Sequence, residues 1–159
     1  MANKITPFFM FAHQAEEAAK FYTSIFPNSK ITLISRYSEA GPGPVGGVMM
    51  VSFELDGQSY TALNGGPPSS FTESVSFVVH CKNQQEVDHY WDKLTADGGA
   101  AIQCGWLKDK FDLRWQIVPD ALLEWVQDKD SRKVANVMTA MMKMVKLDIA
   151  TLQKAYQRK

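Results

Sequence analysis

The sequence is poor in cysteine and contains no long hydrophobic run. Its two cysteines, Cys81 and Cys104, lie in separate strand-like segments without Cys-x-x-Cys or Cys/His ligand spacing, so each is expected to be a small buried residue and no disulfide is predicted. No segment approaches the roughly 20 apolar residues that cross a bilayer. The polar residues Asn3 and Lys4 lead into a strand instead of the apolar core of a signal peptide. We therefore predict a cytoplasmic protein without a membrane partner.

An excess of charge of one sign is also lacking. The 17 Lys and Arg side chains are balanced by 17 Asp and Glu side chains, and like charges do not cluster before the last three residues. Nucleic acids and anionic membranes are bound by clustered Lys and Arg, so no nucleic-acid partner is predicted. The 159 residues, of which 45% are hydrophobic, suffice for one compact domain with a real core.

The main feature that is present is an internal repeat. A strand-like run at residues 5–11, followed by a helix-like run at 15–26, recurs as 74–80 followed by 84–94. Matched pairs lie 69 positions apart: Phe8 and Phe77, Glu17 and Glu86, Phe21 and Tyr90, and Tyr22 and Trp91. Further strand-like runs follow each helix. Such a duplication indicates two units that close around a shared core or cleft, which is the expected place of function.

Hydrophobic periodicity and turn residues divide the chain into three parts. Module one, residues 1–66, is predicted as a strand, a helix and three strands at 5–11, 15–26, 31–37, 48–55 and 58–64. Module two, residues 72–127, is predicted as a strand, a helix and two strands at 74–81, 84–95, 101–107 and 113–118. A tail at 130–159 is predicted to form helices at 131–145 and 148–156, the second capped by Asp148.

Turn chemistry and a methionine stripe refine this division. The pair Asp56-Gly57 predicts a tight hairpin, and residues 41–47 are too rich in Gly and Pro for a helix or a strand, so a loop that is a lid or merely mobile is expected there. In the tail, one face of the first helix carries Met138, Met141, Met142 and Val145. Two explanations of this stripe remain open: its side chains pack against the sheet, or they form a subunit interface.

Six segments spread over nearly the whole chain carry a family resemblance. They are Ile-Thr-Pro at 5–7, Phe-Tyr-Thr-Ser-Ile-Phe-Pro-Asn-Ser at 21–29, Ala-Leu-Asn-Gly-Gly at 62–66, Cys-Gly-Trp-Leu-Lys-Asp-Lys-Phe at 104–111, Trp-Gln-Ile-Val-Pro at 115–119 and Lys-Leu-Asp-Ile-Ala at 146–150. In them the chain resembles the PhnB-like subfamily of the vicinal oxygen chelate superfamily, many members of which are labelled 3-demethylubiquinone-9 3-methyltransferase. The superfamily also holds glyoxalases, extradiol dioxygenases and bleomycin-resistance proteins.

The resemblance implies an α+β fold and a homodimer. Two tandem βαβββ modules would form a glyoxalase-like half-barrel cleft, followed by C-terminal helices. One departure from the subfamily is Asp112, which stands where Gly usually follows the Lys-Phe pair. Since Asp tolerates left-handed backbone geometry, the predicted fold is unaffected.

The resemblance also locates the positions at which metal-dependent members hold their ion. Carried over by strand register, these positions are Pro7, Ala62, Ser76 and Gln116. Pro and Ala have no ligating side-chain atom, and a neutral Ser hydroxyl is a poor ligand for a divalent ion. We therefore predict no metal and no other cofactor.

Alternation along the predicted strands, starting from these four positions, then gives a candidate ligand-binding cleft, and Cys104 and Trp106 are expected to join it from a neighbouring strand whose register the sequence does not fix. Its predicted residues are Phe9, Tyr60, Asn64, Ser76, His80, Cys104, Trp106, Arg114 and Gln116. Aromatic walls with a few hydrogen-bonding groups are typical of a small-molecule pocket. Trp106 packing in the core, Gln116 satisfying backbone groups and His80 having a structural role remain open alternatives.

The sequence therefore favours a metal-free small-molecule binding protein whose ligand is unknown. One alternative is a metal-independent isomerase or lyase with His80 or Glu73 as its base. A second is a protein that functions through a dimer formed by its tail, with a vestigial cleft. A third is the methyltransferase of the family label. The label fits the residues poorly, because the turn at 11–15 between the first strand and helix lacks the glycines that let a backbone approach a nucleotide-type cofactor. No catalytic residue is assigned.

Overall fold

A computed structural model describes residues 4–66 and 71–158 of the chain. The chain divides into two compact units, Met1–Ser70 and Phe71–Lys159. Within the described ranges, none of the helices has the length and apolar character needed to cross a membrane.

The first unit is one βαβββ module. Its elements are β1 (Phe8–Phe11), α1 (Ala15–Ile25), β2 (Lys30–Arg36), β3 (Val48–Leu55) and β4 (Gln58–Asn64). The sheet has the order β1-β4-β3-β2, with β1 parallel to β4 and the other neighbours antiparallel. The β3–β4 hairpin turns at Asp56 and Gly57, whose φ angles of 47° and 78° are those of the predicted tight turn.

The second unit repeats this pattern and adds the tail. Its elements are β5 (Phe77–Cys81), α2 (Gln84–Thr95), a 3₁₀ turn (Ala96–Gly98), β6 (Ala100–Ala101), β7 (Trp106–Lys108), β8 (Arg114–Pro119), α3 (Asp120–Trp125), α4 (Ser131–Met141) and α5 (Ile149–Tyr156). Its sheet order, β5-β8-β7-β6, matches that of the first unit, with β5 parallel to β8. The predicted α+β fold of two βαβββ modules with C-terminal helices is therefore confirmed.

Several element boundaries differ from the prediction. The predicted strand at 101–107 is split into β6 and β7 because Cys104 and Gly105 adopt left-handed φ angles of 59° and 83°. The helix predicted at 131–145 ends at Met141, and α3 was not predicted. The two helix errors, at residues 142–145 and at α3, concern short segments, in which few residues are available to establish a helical period. The predicted N-cap is confirmed, since the Asp148 carboxylate accepts a hydrogen bond from the Thr151 amide at 2.7 Å.

The segment predicted as a loop between β2 and β3 is folded around Tyr37. The Tyr37 amide donates to the Gly47 carbonyl, and the Gly46 amide donates to the Tyr37 carbonyl, both at 2.9 Å. A Cβ on Gly43 would lie 2.4 Å from the Tyr37 ring, so only glycine fits there. The ring is buried, and its hydroxyl donates to the Asn64 carbonyl at 2.7 Å. These contacts pack the loop around the Tyr37 side chain.

The first unit has an aromatic core between α1 and its sheet. Tyr22 of α1 is fully buried and stacks on Phe53 of β3, with ring centroids 6.4 Å apart. Phe53 in turn stacks on Tyr60 at 5.5 Å, and the Phe9 ring lies 5.8 Å from Tyr60. Phe9 and Tyr60 therefore share the side of the sheet that α1 covers.

Asn64 faces α1 as well. Its Oδ1 accepts a hydrogen bond from the amide of Ala15 at the start of α1, at 2.8 Å, and its Nδ2 donates to the Val48 carbonyl at 3.0 Å. Asn64 thus joins the end of β4 to the beginning of the helix. The cleft-facing register predicted for Phe9, Tyr60, Ala62 and Asn64 is wrong, since these residues belong to the core under α1 or to its edge.

The error comes from a one-residue difference between the two modules. The connection from β1 to α1 has three residues, 12–14, whereas that from β5 to α2 has two, 82 and 83. The helices therefore correspond at the predicted offset of 69, but the buried strand residues Phe9 and Phe11 correspond to Val79 and Cys81, which lie 70 positions later. Because side chains alternate along a strand, a shift of one residue exchanges its two faces.

Candidate functional site

In the second unit the predicted strand faces agree with the structure. Along β8, Trp115, Ile117 and Pro119 are buried, whereas Gln116 and Val118 alternate with them on the opposite face. The buried residues Val79 and Cys81 of β5 likewise alternate with the exposed Val78 and His80. The face that carries Val78, Gln116 and Val118 is called the open face below.

The C-terminal helices cover one end of this open face. A second buried cluster consists of Leu122 of α3, Val137 of α4, Leu147 before α5 and Leu152 of α5. Val118 of β8 packs against this cluster, together with Trp125, Val126, Ala140, Met141, Met144 and Tyr156. Burial of apolar surface against the sheet therefore explains only Met141 of the methionine stripe, which packs against this cluster. Met138 and Met142 stay exposed.

Between the open face and these helices lies a pocket of about 450 Å³. It is lined by Val78, Cys104, Trp106, Gln116, Val118, Leu122, Leu123, Val126, Met138, Met141 and Leu147. None of the lining side chains is an acid or a base that is charged at neutral pH, and Gln116 is the one amide among them. The pocket is therefore a mostly apolar cavity whose strongest hydrogen-bonding side chains are the Gln116 amide and the Trp106 indole N–H, which is the usual composition of a small-molecule site.

Gln116 is held in place by the neighbouring end of β5. Its Nε2 donates a hydrogen bond to the Ser76 hydroxyl at 2.9 Å. The Gln116 carbonyl oxygen accepts no hydrogen bond from any residue that the structure describes. This leaves an acceptor in the pocket for the N–H or O–H group of a ligand.

Cys104 lines the pocket, and its left-handed backbone conformation is held by hydrogen bonds to the segment before α5. Its amide donates to the Met144 carbonyl at 2.9 Å, and the Gly105 amide donates to the Val145 carbonyl at 2.8 Å. These bonds join the interrupted strand to the segment between α4 and α5. A Cβ on Gly105 would lie 3.0 Å from both the Ile117 carbonyl oxygen and Leu147, which is why glycine is required beside Cys104.

The two cysteine thiols are expected to react at very different rates. Cys104 is half-buried and lines the pocket, whereas Cys81 is fully buried and burial raises the pKa of its thiol to about 12. The thiolate fraction of Cys81 near pH 8 is then about a thousandfold below that of a free cysteine. We expect iodoacetamide to label Cys104 at least about a hundredfold faster than Cys81, as measured by peptide mass spectrometry. In denaturant the two rates should become similar, and similar rates in the native protein would contradict this assignment.

Two further residues of the second unit that were predicted for the cleft, Arg114 and His80, do not line the pocket. The Arg114 guanidinium is anchored in the turn before β8, since its NH1 donates to the Asp112 carbonyl at 2.6 Å. Lys108, and to a lesser degree Arg114, hold the pKa of the Asp112 carboxyl below its ordinary value. His80 lies on the exposed side of β5 with its Nδ1 3.5 Å from an Asp120 carboxylate oxygen.

Of the predicted site residues, the structure thus brings Cys104, Trp106 and Gln116 together, with Ser76 behind Gln116. The pocket residues that the sequence did not indicate are Leu122, Leu123 and Val126 of the α3 region, together with Leu147 before α5. The only sequence signal for them was apolar character, which does not distinguish a pocket wall from a core.

The fold matches those of known structures. A fosfomycin resistance protein, FosX, from Listeria monocytogenes superposes with a TM-score of 0.58 at 14% identity, over 80% of this chain and 99% of that chain. A Pseudomonas aeruginosa protein superposes with a TM-score of 0.61 at 15% identity, over 74% of this chain and 98% of the other. Both matches, at less than 25% identity, show the fold alone.

Closer similarity shows the family. A PhnB protein from Bacillus cereus is 39% identical, with a TM-score of 0.67, over 74% of this chain and 99% of that chain. The profile of the family described as 3-demethylubiquinone-9 3-methyltransferase matches residues 3–118. The chain therefore belongs to this family, in the PhnB-like subfamily of the vicinal oxygen chelate superfamily. No curated protein matches the sequence. Helices α3 to α5 follow the end of the matched family segment.

The metal site of the superfamily does not fit the residues present. With the register corrected by one position, Thr6 and Thr61 replace Pro7 and Ala62 as the module-one counterparts of Ser76 and Gln116. Neutral hydroxyls are poor ligands for a divalent ion, and the Ser76 hydroxyl already accepts the Gln116 amide. Among the described residues there is also no group of three or more His, Cys, Asp or Glu side chains that could hold an ion.

Proposed function

We propose that this chain is a metal-free small-molecule binding protein whose ligand occupies the pocket on the open face of the second sheet. The observation that carries the proposal is the pocket itself, a cavity of about 450 Å³ with a mostly apolar, uncharged lining in which the Gln116 amide and the Trp106 indole are the main polar groups. An uncharged lining favours a neutral ligand, because a charged one would lose its hydration without gaining a partner.

The chemistry of the lining also suggests how the ligand is oriented. Trp106 and the Leu, Val and Met side chains offer apolar contact, and Trp can stack on a flat ring. The Gln116 carbonyl oxygen accepts a hydrogen bond, and its orientation is fixed by Ser76. We therefore propose a neutral, largely apolar molecule that carries at least one N–H or O–H donor.

This proposal differs from the chemistry suggested by some relatives. A FosX structure from Listeria monocytogenes is described as a complex with Mn(II) and sulfate. That protein shares only the fold with this chain, at 14% identity, and the counterpart positions here are Thr, Thr, Ser and Gln. Metal-assisted chemistry is therefore not proposed for this chain.

Methyl transfer is not proposed either, although it is the activity in the family description. The connection from β1 to α1 is Ala-His-Gln, without glycine, and the sheets are of mixed direction instead of parallel and doubly wound. A metal-independent isomerase or lyase would need a base directed at the ligand. His80 lies beside Asp120 and Glu73 lies 3.9 Å from the Arg114 Nε, and neither lines the pocket.

Native mass spectrometry of the untreated protein is the first test of the proposal. It reports in one spectrum the mass of any retained organic ligand, the presence of a metal and the oligomeric state, for which the family resemblance predicts a homodimer. A retained neutral organic molecule without metal is expected. A stoichiometric divalent ion would contradict the metal-free part of the proposal.

Filling the pocket tests its location. Met138 lines the pocket but is partly exposed, so Met138→Trp should reduce the free volume at little cost in stability. With the neutral dye Nile red as a probe, we expect about tenfold weaker binding, which corresponds to about 1.4 kcal/mol, in a fluorescence titration. Ala135→Trp, an exposed position on the same helix that is not part of the pocket, is the matched control. Equal dye affinity of the two variants would contradict the location.

A further inference from the structure

A second pocket lies on the other side of α4, between α4 and α5. It has a volume of about 440 Å³ and is lined by Asn136, Thr139, Ala140, Lys143, Met144, Thr151, Lys154, Ala155 and Arg158. It shares no residue with the pocket on the open face. It is built entirely from the helical tail, beyond the segment that the family profile matches. We refer to it as the α4–α5 groove.

The α4–α5 groove concentrates positive charge. Lys143, Lys154 and Arg158 are among its lining residues, and no acidic side chain is. Within the described ranges none of these three cations has an ion-pair partner, whereas the neighbouring Lys133 and Lys146 pair with Asp128 and Asp88. Three like charges around one concavity repel one another, and they raise the local concentration of anions.

One acidic side chain, Asp148, lies near Lys154 but does not line the groove. Asp148 caps α5 by accepting hydrogen bonds from Thr151, and these bonds hold the pKa of its carboxyl below the ordinary value. Lys154 contributes to the same shift through its charge, but no ion pair joins Lys154 to Asp148. The capping carboxylate keeps its charge, so Asp148 offsets at most one of the three positive charges, and the groove retains net positive charge for an anion.

The rest of the lining adds an apolar floor and a neutral donor. Ala140, Met144 and Ala155 are buried or half-buried between the two helices. The Asn136 amide lies in the same lining, where its Nδ2 donates one hydrogen bond to the Arg158 carbonyl at 3.4 Å and retains a second N–H. The Thr139 hydroxyl donates to the Ala135 carbonyl at 2.7 Å, so it serves the groove only as an acceptor. A ligand that matches both the apolar floor and the three cations has an apolar body and a compact, multiply charged anionic group.

We propose that the α4–α5 groove binds the phosphate group of a small organic phosphate monoester, with the apolar body of the molecule on Ala140, Met144 and Ala155. A phosphate monoester carries a charge of about −1.5 to −2 at neutral pH and three acceptor oxygens. Two ammonium groups and a guanidinium can satisfy these oxygens at once. A carboxylate offers one charge and two oxygens, so it matches the three cations less well.

Titration with 1-naphthyl phosphate tests the proposal, because this probe combines an aromatic body with a phosphate group. Binding is followed by NMR on the ¹⁵N-labelled full chain, with amide shifts expected in α4 and α5. We expect 1-naphthol, 1-naphthoate and inorganic phosphate each to bind at least about tenfold more weakly, since each lacks one of the two matched features. Affinity should also fall as salt is raised, because the cations are exposed.

A charge-neutral variant identifies the residues. Lys143→Gln, Lys154→Gln and Arg158→Gln combined should weaken 1-naphthyl phosphate binding by about tenfold or more, since each exposed charge contributes a modest amount. The matched control, Lys82→Gln, Lys93→Gln and Lys129→Gln combined, removes the same charge elsewhere and should bind like the parent. Unchanged ¹⁵N spectra outside the groove establish that each variant is folded. Equal affinity of both variants, or shifts confined to other surfaces, would overturn the proposal.

Discussion

Replacing Asp109 by Asn should lower the free energy of unfolding by about 3 kcal/mol, because it leaves buried N–H groups without an acceptor. Asp109 is 1% exposed, and its carboxylate serves only donors. Oδ1 accepts from the amides of Phe111 and Leu113 at 2.8 and 3.1 Å, and Oδ2 accepts from the Trp115 indole at 2.8 Å. Asn has nearly the same shape, but in either orientation its NH₂ group faces one of these donors. Urea denaturation followed by circular dichroism measures the loss.

Two further variants separate this network from the effect of charge. Asp112 lies in the same turn, but its carboxylate is partly exposed and pairs with Lys108 at 2.8 Å, so Asp112→Asn should cost less than about 1 kcal/mol. In a double-mutant cycle, Trp115→Phe removes the indole donor, and the loss caused by Asp109→Asn should then be smaller. If the losses in free energy of unfolding of Asp109→Asn and Trp115→Phe were additive, the hydrogen bond between Asp109 Oδ2 and the Trp115 indole would make no contribution to stability.

The second large effect is expected in module one, where adjacent phenylalanines should behave oppositely. Phe9 is 4% exposed and contacts the rings of Phe53 and Tyr60, so Phe9→Ala should destabilise the protein by about 3–5 kcal/mol through lost burial and a residual cavity. Phe8 is 54% exposed, and Phe8→Ala should change stability by about 0.5 kcal/mol or less. Thermal unfolding of the two variants under identical conditions provides the measurement.

This pair of variants also tests the strand register. If Phe9 faced a ligand-binding cleft, as the repeat offset predicted, its removal would change ligand affinity more than stability. A larger stability loss for Phe8→Ala than for Phe9→Ala would contradict the register of β1 in the structure. Because the residues are neighbours of identical type, differences in helix or strand propensity cancel between them.

Much of the fold was predictable because its signals are local. The Asp56-Gly57 turn, the Asp148 cap and the helical period of α1 and α2 each depend on residues within a few positions of one another. The repeat added one longer-range fact, the equivalence of two βαβββ modules. The prediction of strand faces from the repeat offset failed in module one only because the connection from β1 to α1 is one residue longer than that from β5 to α2.

The candidate site was only partly predictable for a similar reason. Gln116 was predicted from the strand alternation of module two and lies in the pocket of the second unit, as do Cys104 and Trp106, which were expected to join from the neighbouring strand. The other wall of the pocket comes from α3, α4 and Leu147, which lie close to β8 only after the tail has folded over the open face. Apolar side chains such as Leu122 look alike in sequence whether they complete a core or line a cavity.

The sequence by itself determined the α+β class, the duplicated modules and the family. It also determined that the positions at which relatives hold a metal lack good metal ligands. Periodicity, turn residues and residue chemistry carry this information, and none of them depends on distant contacts. Only the tertiary structure decided which strand face each module-one residue occupies, that Asn64 and Phe9 are structural, and where the tail forms its two pockets. These properties depend on a connection length and on packing between segments far apart in the chain, where small local differences have large spatial consequences.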